Sequence, residues 1–279
     1  MIYSYAMWLA IVSLLCLGLE RIKPWRSGQA MWRPQLSQDL IWLVLNGHYF
    51  GIAISKASTY LGAQLAPDFF AALRRVEWLE TWPLLAQALG WFVVKDFCEW
   101  CVHNLLHRMP VLWRVHKLHH SIEHMDWIGN FRFHCGESVI YQTLTYLPLV
   151  VLGVDGPVLL AIAVLGTLIG HLNHSNLNLT WGPLRLLLNS PRMHIWHHAS
   201  APPSDRPYGC NFGICLSLWD WIFGTAHWPS QQLAPTQQPV ELGFSDIDTF
   251  PKSFLGRLAY PFIPVSKRAS IDAHDRAPR

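Results

Sequence analysis

The chain has 279 residues and a net charge of +3; 51% of its residues are hydrophobic and only 14% are charged. A globular domain in water carries about 25% charged residues, so this composition points to a bilayer as part of the solvent, and 15 Trp suit the headgroup region, where ring and N–H are both satisfied. So small a charge with no dense basic run excludes nucleic acid as a partner, and six Cys without a framework rhythm point to a reduced compartment.

Residues 5–19 are nearly all apolar and are followed by Arg21, Lys23, Arg26 and Arg33. A signal peptide carries its positive charge before the apolar run, whereas here it follows, so the order predicts a retained membrane helix entering the cytosol. Residues 39–66 are a second apolar stretch, long enough to span with tilt. Residues 67–83, with Arg74, Arg75, Glu77 and Glu80 among aromatics, read as an interfacial segment. From 84 to 100 the chain is apolar again except for Lys95, Asp96 and Glu99, and ionisable groups at the mouth of a membrane helix usually serve a pathway or a site. Cys98 and Cys101 form C-x-x-C, but with no second pair and no preceding strand they read as helix residues. Segment 103–137 is polar, and Arg108, Arg114 and Lys117 mark it as cytosolic. Apolar runs 139–152 and 158–170 flank the turn signal Val154-Asp155-Gly156-Pro157, predicting a hairpin, tilted or re-entrant, that returns to the side it left. No spanning segment follows His171, so every histidine-rich segment falls on one side. Residues 229–240 read as a Gln- and Pro-rich loop, and the tail after Val265 as frayed.

Eight of the 15 histidines sit in three spaced boxes: His103 and His107; His116, His119 and His120; and His194, His197 and His198. The last two share the spacing H-x-x-H-H. Spacings of three and four bring side chains to one helix face, so each box is expected to aim its imidazoles at one point. One first-row ion takes three or four protein ligands, so this many histidines imply two metals. Imidazole is compatible with Zn, Cu, Fe and Ni, and the reaction must choose among them. At a membrane surface fed by apolar helices the natural substrate is a lipid chain, whose unactivated C–H bonds call for oxygen and redox-active iron rather than zinc. His103 to His107 lacks the Glu of a zinc protease's H-E-x-x-H, and no G-x-S-x-G elbow or Gly-rich dinucleotide fingerprint occurs. The alternatives are a zinc-dependent membrane hydrolase or isomerase on the same ligands, and a non-catalytic membrane metal or haem protein; paired histidines could serve haem, which gains nothing from H-x-x-H-H.

Residues 96–225 resemble the fatty acid hydroxylase and sterol desaturase superfamily of membrane di-iron enzymes. Asp96, His103 and His107 are similar to its first box, and Trp113 through Ser121 to its second. Asn130, Arg132, His134 and Glu137 resemble a polar cluster, and His174-Ser175-Asn176 a lone-histidine motif. Pro191 to His198 is similar to the third box, and Asn211-Phe212-Gly213 with Trp219-Asp220 and Phe223-Gly224-Thr225 to the closing motif. The chain departs from the family's usual pattern at Asn104, where Arg is common, and at Cys135, where Pro is common, positions that tune substrate and subfamily more than the metal site.

The resemblance implies two iron ions, which zinc replaces readily on purification, O2 as co-substrate, and electrons from a separate reductase or small carrier. It implies a lipid substrate, hydroxylated or desaturated. The expected ligands are His103, His107, His116, His119, His120, His174, His194, His197 and His198. Asp96, Glu99, Glu137 and Asp220 are expected to accept the second N–H of ligating imidazoles. His134 is expected as a ligand or a supporting donor, His171 as a ligand or a mere helix-face partner, and Asn211 and Arg132 as supporting residues. The expected fold is all-α and integral to the membrane, with about four to five transmembrane or re-entrant helices and a cytosolic helical cap carrying the site. Its parts are membrane helices and an interfacial segment in 1–100, a catalytic core in 101–228 that includes the hairpin 139–170, and a loop and tail in 229–279.

Overall fold

Leu9, Val12, Ser13, Cys16 and Glu20 recur at helical spacing and form the buried stripe of the first helix, while Ile11, Leu14 and Leu15 opposite them stay exposed. The computed structural model describes residues 4–65, 81–228 and 241–263. Its α-helices are α1 (Tyr5–Ile22), α2 (Leu36–Val44), α3 (Gly51–Leu65), α4 (Leu84–Arg108), α5 (Pro110–His120), α6 (Cys135–Tyr141), α7 (Leu147–Val151), α8 (Gly156–His174), α9 (Pro191–His197), α10 (Leu218–Ile222) and α11 (Phe254–Ala259). Among the described residues there is no strand, only three isolated bridges. The expected interfacial segment falls almost wholly outside the described residues.

Among the described residues, α1 and α8 are the two helices long and apolar enough to cross a membrane. At 18 and 19 residues they rise about 27–29 Å, close to the hydrocarbon thickness. They pack on each other, with Tyr5 Oη 2.7 Å from Thr167 Oγ1 and Ser13 Oγ 3.1 Å from His171 Nε2. Their C-terminal ends meet at one face. There Glu20 Oε1 accepts from Asn176 N at 2.7 Å and Trp127 N at 2.9 Å, and Trp25 N donates to Asn176 O at 2.8 Å.

The other apolar stretches are helical but less simple than their composition suggests. Residues 36–65 run as α2, a π-helical stretch Leu45–Phe50, and α3. At Gly47 a Cβ would lie 2.9 Å from Leu9 Cδ2, so the missing side chain lets this turn approach α1. The first arm of the expected hairpin is broken into α6, a second π stretch Gln142–Tyr146, and α7. Pro148 has no N–H for the carbonyl four residues back, and the ladder widens just before it. Helix α4 is continuous for 25 residues, so the run read as ending at 100 carries straight on through His103 and His107, with Cys98 and Cys101 as free thiols on it. It stops because Met109 precedes Pro110 and takes extended dihedrals, and Pro110 then starts α5 where no N–H is needed.

Part of the region expected as loop and tail is packed structure. Phe244, Phe250 and Tyr260 form a buried cluster with Trp42 of α2 and Leu118 of α5, flanked by Phe254 of α11. These aromatics lie too irregularly in sequence to show a period, which is why they read as loop; 229–240 and 264–279 lie outside the described residues.

A buried ionic network holds α2 to the chain that leaves α5. Arg132 grips both oxygens of Asp39 at 2.6 Å and donates to Ser121 O at 2.8 Å. Arg33 reaches Asp39 at 2.8 Å and Asp126 at 2.5 Å. Removing one partner from such a network leaves a buried charge uncompensated. Asp39→Ala is therefore expected to destabilise the fold by about 3–5 kcal/mol, seen as a lower Tm or loss of monodisperse protein in detergent. Glu123→Ala, which removes an exposed carboxylate, should cost less than about 0.5 kcal/mol.

Candidate metal centre

Nine imidazoles converge in two groups. His103, His107, His116, His120 and His197 each bring one ring nitrogen within 4.8 Å of all the others, and His119, His174, His194 and His198 do the same. Helix α4 supplies His103 and His107 one turn apart, and α8 supplies His174 from its last turn. Each H-x-x-H-H box is divided, contrary to the expectation that a box aims at one point. His116 and His120 turn to the five-histidine group and His119 to the four-histidine group, whereas His194 and His198 turn to the four-histidine group and His197 to the other. Helix geometry explains the division: successive residues are about 100° apart, so i and i+4 lie within about 40° of each other while i+3 falls on the far side of i. The groups adjoin, with the His120 and His198 rings stacked at 4.6 Å and those of His194 and His197 at 5.2 Å.

The hydrogen bonds determine the tautomers. His103 Nδ1 donates to Phe212 O at 2.7 Å, His197 Nδ1 to Cys210 O at 2.9 Å, His174 Nδ1 to Gly170 O at 2.9 Å, and His116 Nδ1 to Glu137 Oε1 at 2.7 Å. A carbonyl only accepts, so His103, His197 and His174 carry their proton on Nδ1 and present a bare Nε2. The bare His103 Nε2 faces His116 Nε2 at 3.2 Å. His120 Nε2 stands 3.1 Å from both His107 Nε2 and His197 Nε2, and His174 Nε2 lies 3.3 Å from His119 Nε2 and 3.2 Å from His194 Nε2. Two nitrogens bound to one ion at about 2.0–2.1 Å, at tetrahedral to octahedral angles, are about 2.9–3.4 Å apart. The spacings fall in that window, so the residues fit a pair of first-row ions.

Of the four carboxylates expected to orient imidazoles, the structure brings Glu137 alone to a ring. Its Oε2 is buried without a hydrogen-bond partner, and burial holds its pKa well above the carboxylate range, a penalty that nearby positive charge would offset. Asp220 acts at one remove. It accepts from Phe212 N at 2.9 Å, Gly213 N at 2.7 Å and Trp100 Nε1 at 3.1 Å, which fixes the loop whose Phe212 carbonyl holds His103. Asp96 accepts from Cys215 N at 2.9 Å, Leu216 N at 3.2 Å and Trp219 Nε1 at 2.9 Å, anchoring the same loop from α4. Glu99 pairs with Lys95 instead. Asn211, at φ 57°, bonds Met193 O and the backbone of His227, tying the loop to α9. Arg132 belongs to the ionic network under α2.

His134 stands outside both groups: its Nδ1 caps α6 through Gly136 N at 3.0 Å, and its Nε2 donates to Leu258 O at 2.9 Å. With both nitrogens spent on backbone, it is a cap and a tether for the C-terminal segment. His171 is likewise occupied by Ser13 and by Asn130 at 3.0 Å. Sequence reasoning missed the carbonyls of Phe212, Cys210 and Gly170, because a backbone acceptor carries no residue-type signal.

Two openings approach the histidines. A cavity of about 580 Å³ lies among α1, α4, α8 and both π stretches, lined by residues such as Ile52, Tyr141, Tyr146 and Ala163. Phe133 is shared, lining this cavity and stacking on His119 at 4.9 Å. On the other side a smaller pocket of about 250 Å³, bordered by Ser200, Tyr208 and Asp246, reaches His107, His120 and His197 directly. Burial lowers the pKa of His116, His119, His120, His194, His197 and His198 well below the imidazole value, so their rings are neutral and free to ligate.

A histidine whose folded pKa is depressed supports the fold above the unfolded value of about 6.5 and opposes it below, where the unfolded chain binds more protons. Thermal stability is therefore expected to fall as pH drops from 7 toward 5, measurable as a declining Tm. Glu137→Gln, which weakens the hold on His116, is expected to lower metal affinity about 10–100-fold, read by competition with a chelator.

The sequence profile described as fatty acid hydroxylase matches residues 88–225. The chain is 30% identical over 228 residues to an ornithine lipid hydroxylase of Rhizobium tropici, covering 78% of this chain and 66% of that one. It is 31% identical over 178 residues to an alkylglycerol monooxygenase of Danio rerio, 62% of this chain and 36% of that one. It is also 27% identical over 206 residues to methylsterol monooxygenase 1 of Rattus norvegicus, 72% of this chain and 67% of that one. The chain thus spans at most about two thirds of the length of these relatives. No solved structure matches it. Because the matched span takes in every histidine of both groups together with Asp96 and Asp220, which anchor the loop behind them, the chain belongs to the fatty acid hydroxylase and sterol desaturase superfamily.

Proposed function

We propose that this chain is an integral-membrane oxidoreductase that uses two irons, O2 and external electrons to hydroxylate a lipid. The observation that carries the reading is the pair of converging imidazole groups behind an apolar cavity that abuts both candidate spans. When bound, the irons supply the O2 activation and redox equivalents that an unactivated C–H bond requires. The five-histidine and four-histidine groups would each hold one ion. Glu137 and the carbonyls of Phe212, Cys210 and Gly170 keep the ring protons on Nδ1, so that Nε2 stays available. The cavity admits a lipid chain and excludes water, while Phe133 forms the wall between chain and histidines.

The relatives' names speak of ornithine lipid, alkylglycerol and methylsterol, which share a lipid as substrate class and oxygen insertion as reaction. Hydroxylation consumes one O2, two electrons and two protons and releases one water. The electrons would come from a separate reductase or small carrier at the pocket beside His107, His120 and His197. Arg108, Arg114, Lys117 and Arg192 near the boxes favour a cytosolic position for that face, with 101–228 as the catalytic core and the broken hairpin and α2–α3 joining α1 and α8 in or at the membrane.

Protein reconstituted anaerobically with Fe²⁺ should hold close to two irons per chain and, with O2 and a reducing partner, give a lipid product heavier by about 16 mass units, the mass of the inserted oxygen. A product lighter by two hydrogens would mean desaturation, and turnover without O2 or reductant would mean a hydrolase or isomerase. His119→Ala and His197→Ala, one from each group, should each drop the metal content toward one and cut activity by at least about 100-fold. Full activity in either variant would end the two-ion reading.

A further inference from the structure

Inside the apolar cavity one polar pair is out of keeping with its surroundings. Lys95 and Glu99 lie one turn apart on α4, both line the cavity, and their side chains are 4% and 9% exposed. Lys95 Nζ donates to Glu99 Oε1 at 2.5 Å and stands over the Tyr146 ring at 5.0 Å. On the facing helix α8 a Cβ at Gly166 would come 3.3 Å from Nζ, so the glycine makes room for the ammonium. Glu99 Oε2 is buried with no hydrogen-bond partner. Four other polar side chains lining the cavity are paired: Asn46 bonds Phe133 O at 2.8 Å and Ser138 Oγ at 2.8 Å, and Tyr5 bonds Thr167.

A buried carboxylate oxygen without a donor is costly, and an occupant of the cavity is the natural source of one. A carboxylate placed on Oε2 would meet in repulsion both the free oxygen of Glu99 and the Asp96 carboxyl, which lies within 4.8 Å of Glu99, whereas a neutral O–H or N–H satisfies Oε2 without adding charge. Glu99 also precedes His103 by four residues on the same helix, about 6 Å along its axis, so a group held there would set which carbon faces the histidines.

We propose that Glu99, poised by Lys95, is a specificity-determining residue that accepts a hydrogen bond from a neutral hydroxyl or amide N–H of the lipid. The chain thereby selects lipids bearing such a donor over free carboxylates. This rests on reading the cavity as the substrate site.

The test is binding to the metal-loaded protein in detergent without reductant, using hexadecanol, hexadecyl methyl ether, N-methylhexadecanamide and hexadecanoate as probes. The alcohol or the amide should bind at least about ten-fold tighter than the ether, with hexadecanoate weakest, and the tighter of the two identifies hydroxyl or amide as the group read. The double variant Lys95→Met with Glu99→Leu should lose that advantage while binding the ether as before. Glu99→Gln frees Lys95 Nζ and adds an N–H donor, so hexadecanoate should gain at least about ten-fold in it; this variant decides the matter if the double variant does not fold. Equal affinities in the native protein, no binding of any probe, discrimination that survives the double variant, or an unchanged order in Glu99→Gln overturns the proposal. Iron content and reductant-dependent O2 uptake, measured on the same preparation, report separately on the oxygenase reading.

Discussion

Imidazole nitrogens facing one another at 3.1–3.3 Å are the constraint on which the rest of the structure depends. Nitrogens this close need a proton or a cation between them, and His103, His174 and His197 cannot supply the proton, because their outward nitrogens are already committed as donors to backbone carbonyls. A cation at each of the two focal points would satisfy these nitrogens together. Much of the surrounding fold can be understood as the apparatus that aims nine rings at these two points.

That apparatus is mostly backbone. The loop between α9 and α10 brings the carbonyls of Cys210 and Phe212 to His197 and His103, and the loop is itself held by Asp220, Asp96 and Asn211. Two of the carboxylates that a residue-by-residue reading assigns to the imidazoles, Asp96 and Asp220, thus grip the N–H groups of the loop instead. This costs nothing in specificity: a carboxylate accepting from two backbone N–H groups fixes a peptide plane, and a fixed peptide plane aims its carbonyl. Glu137 alone takes the direct route, and it pays with an unpartnered buried oxygen.

The histidine groups also lie between two environments. One side backs onto the cavity between the candidate spans, with Phe133 against His119; the other opens to the pocket past Tyr208. An oxygenase acting on a lipid needs both, an apolar approach for the chain and a polar approach for electrons and protons. The Lys95–Glu99 pair lies on the first side.

The spacing of residues along α4, α5 and α9 was enough to mark the histidines as a set, because a helix converts three- and four-residue intervals into one face whatever its neighbours do. Hydropathy likewise marked α1 as a membrane helix and the run within α8 as one arm of a hairpin, though not that α8 is long enough to cross by itself. Partition was beyond the sequence: whether His119 shares a focus with His116 or with His174 depends on where α8 and α9 lie relative to α5. The same holds for His134, whose match to a polar motif says nothing of the Leu258 carbonyl that occupies it, and for Phe244, Phe250 and Tyr260, whose irregular spacing hides a packed cluster. Local periodicity is written in the chain, whereas the partners of a ring nitrogen are set by backbone arriving from far along it, and only the tertiary structure decides which backbone arrives.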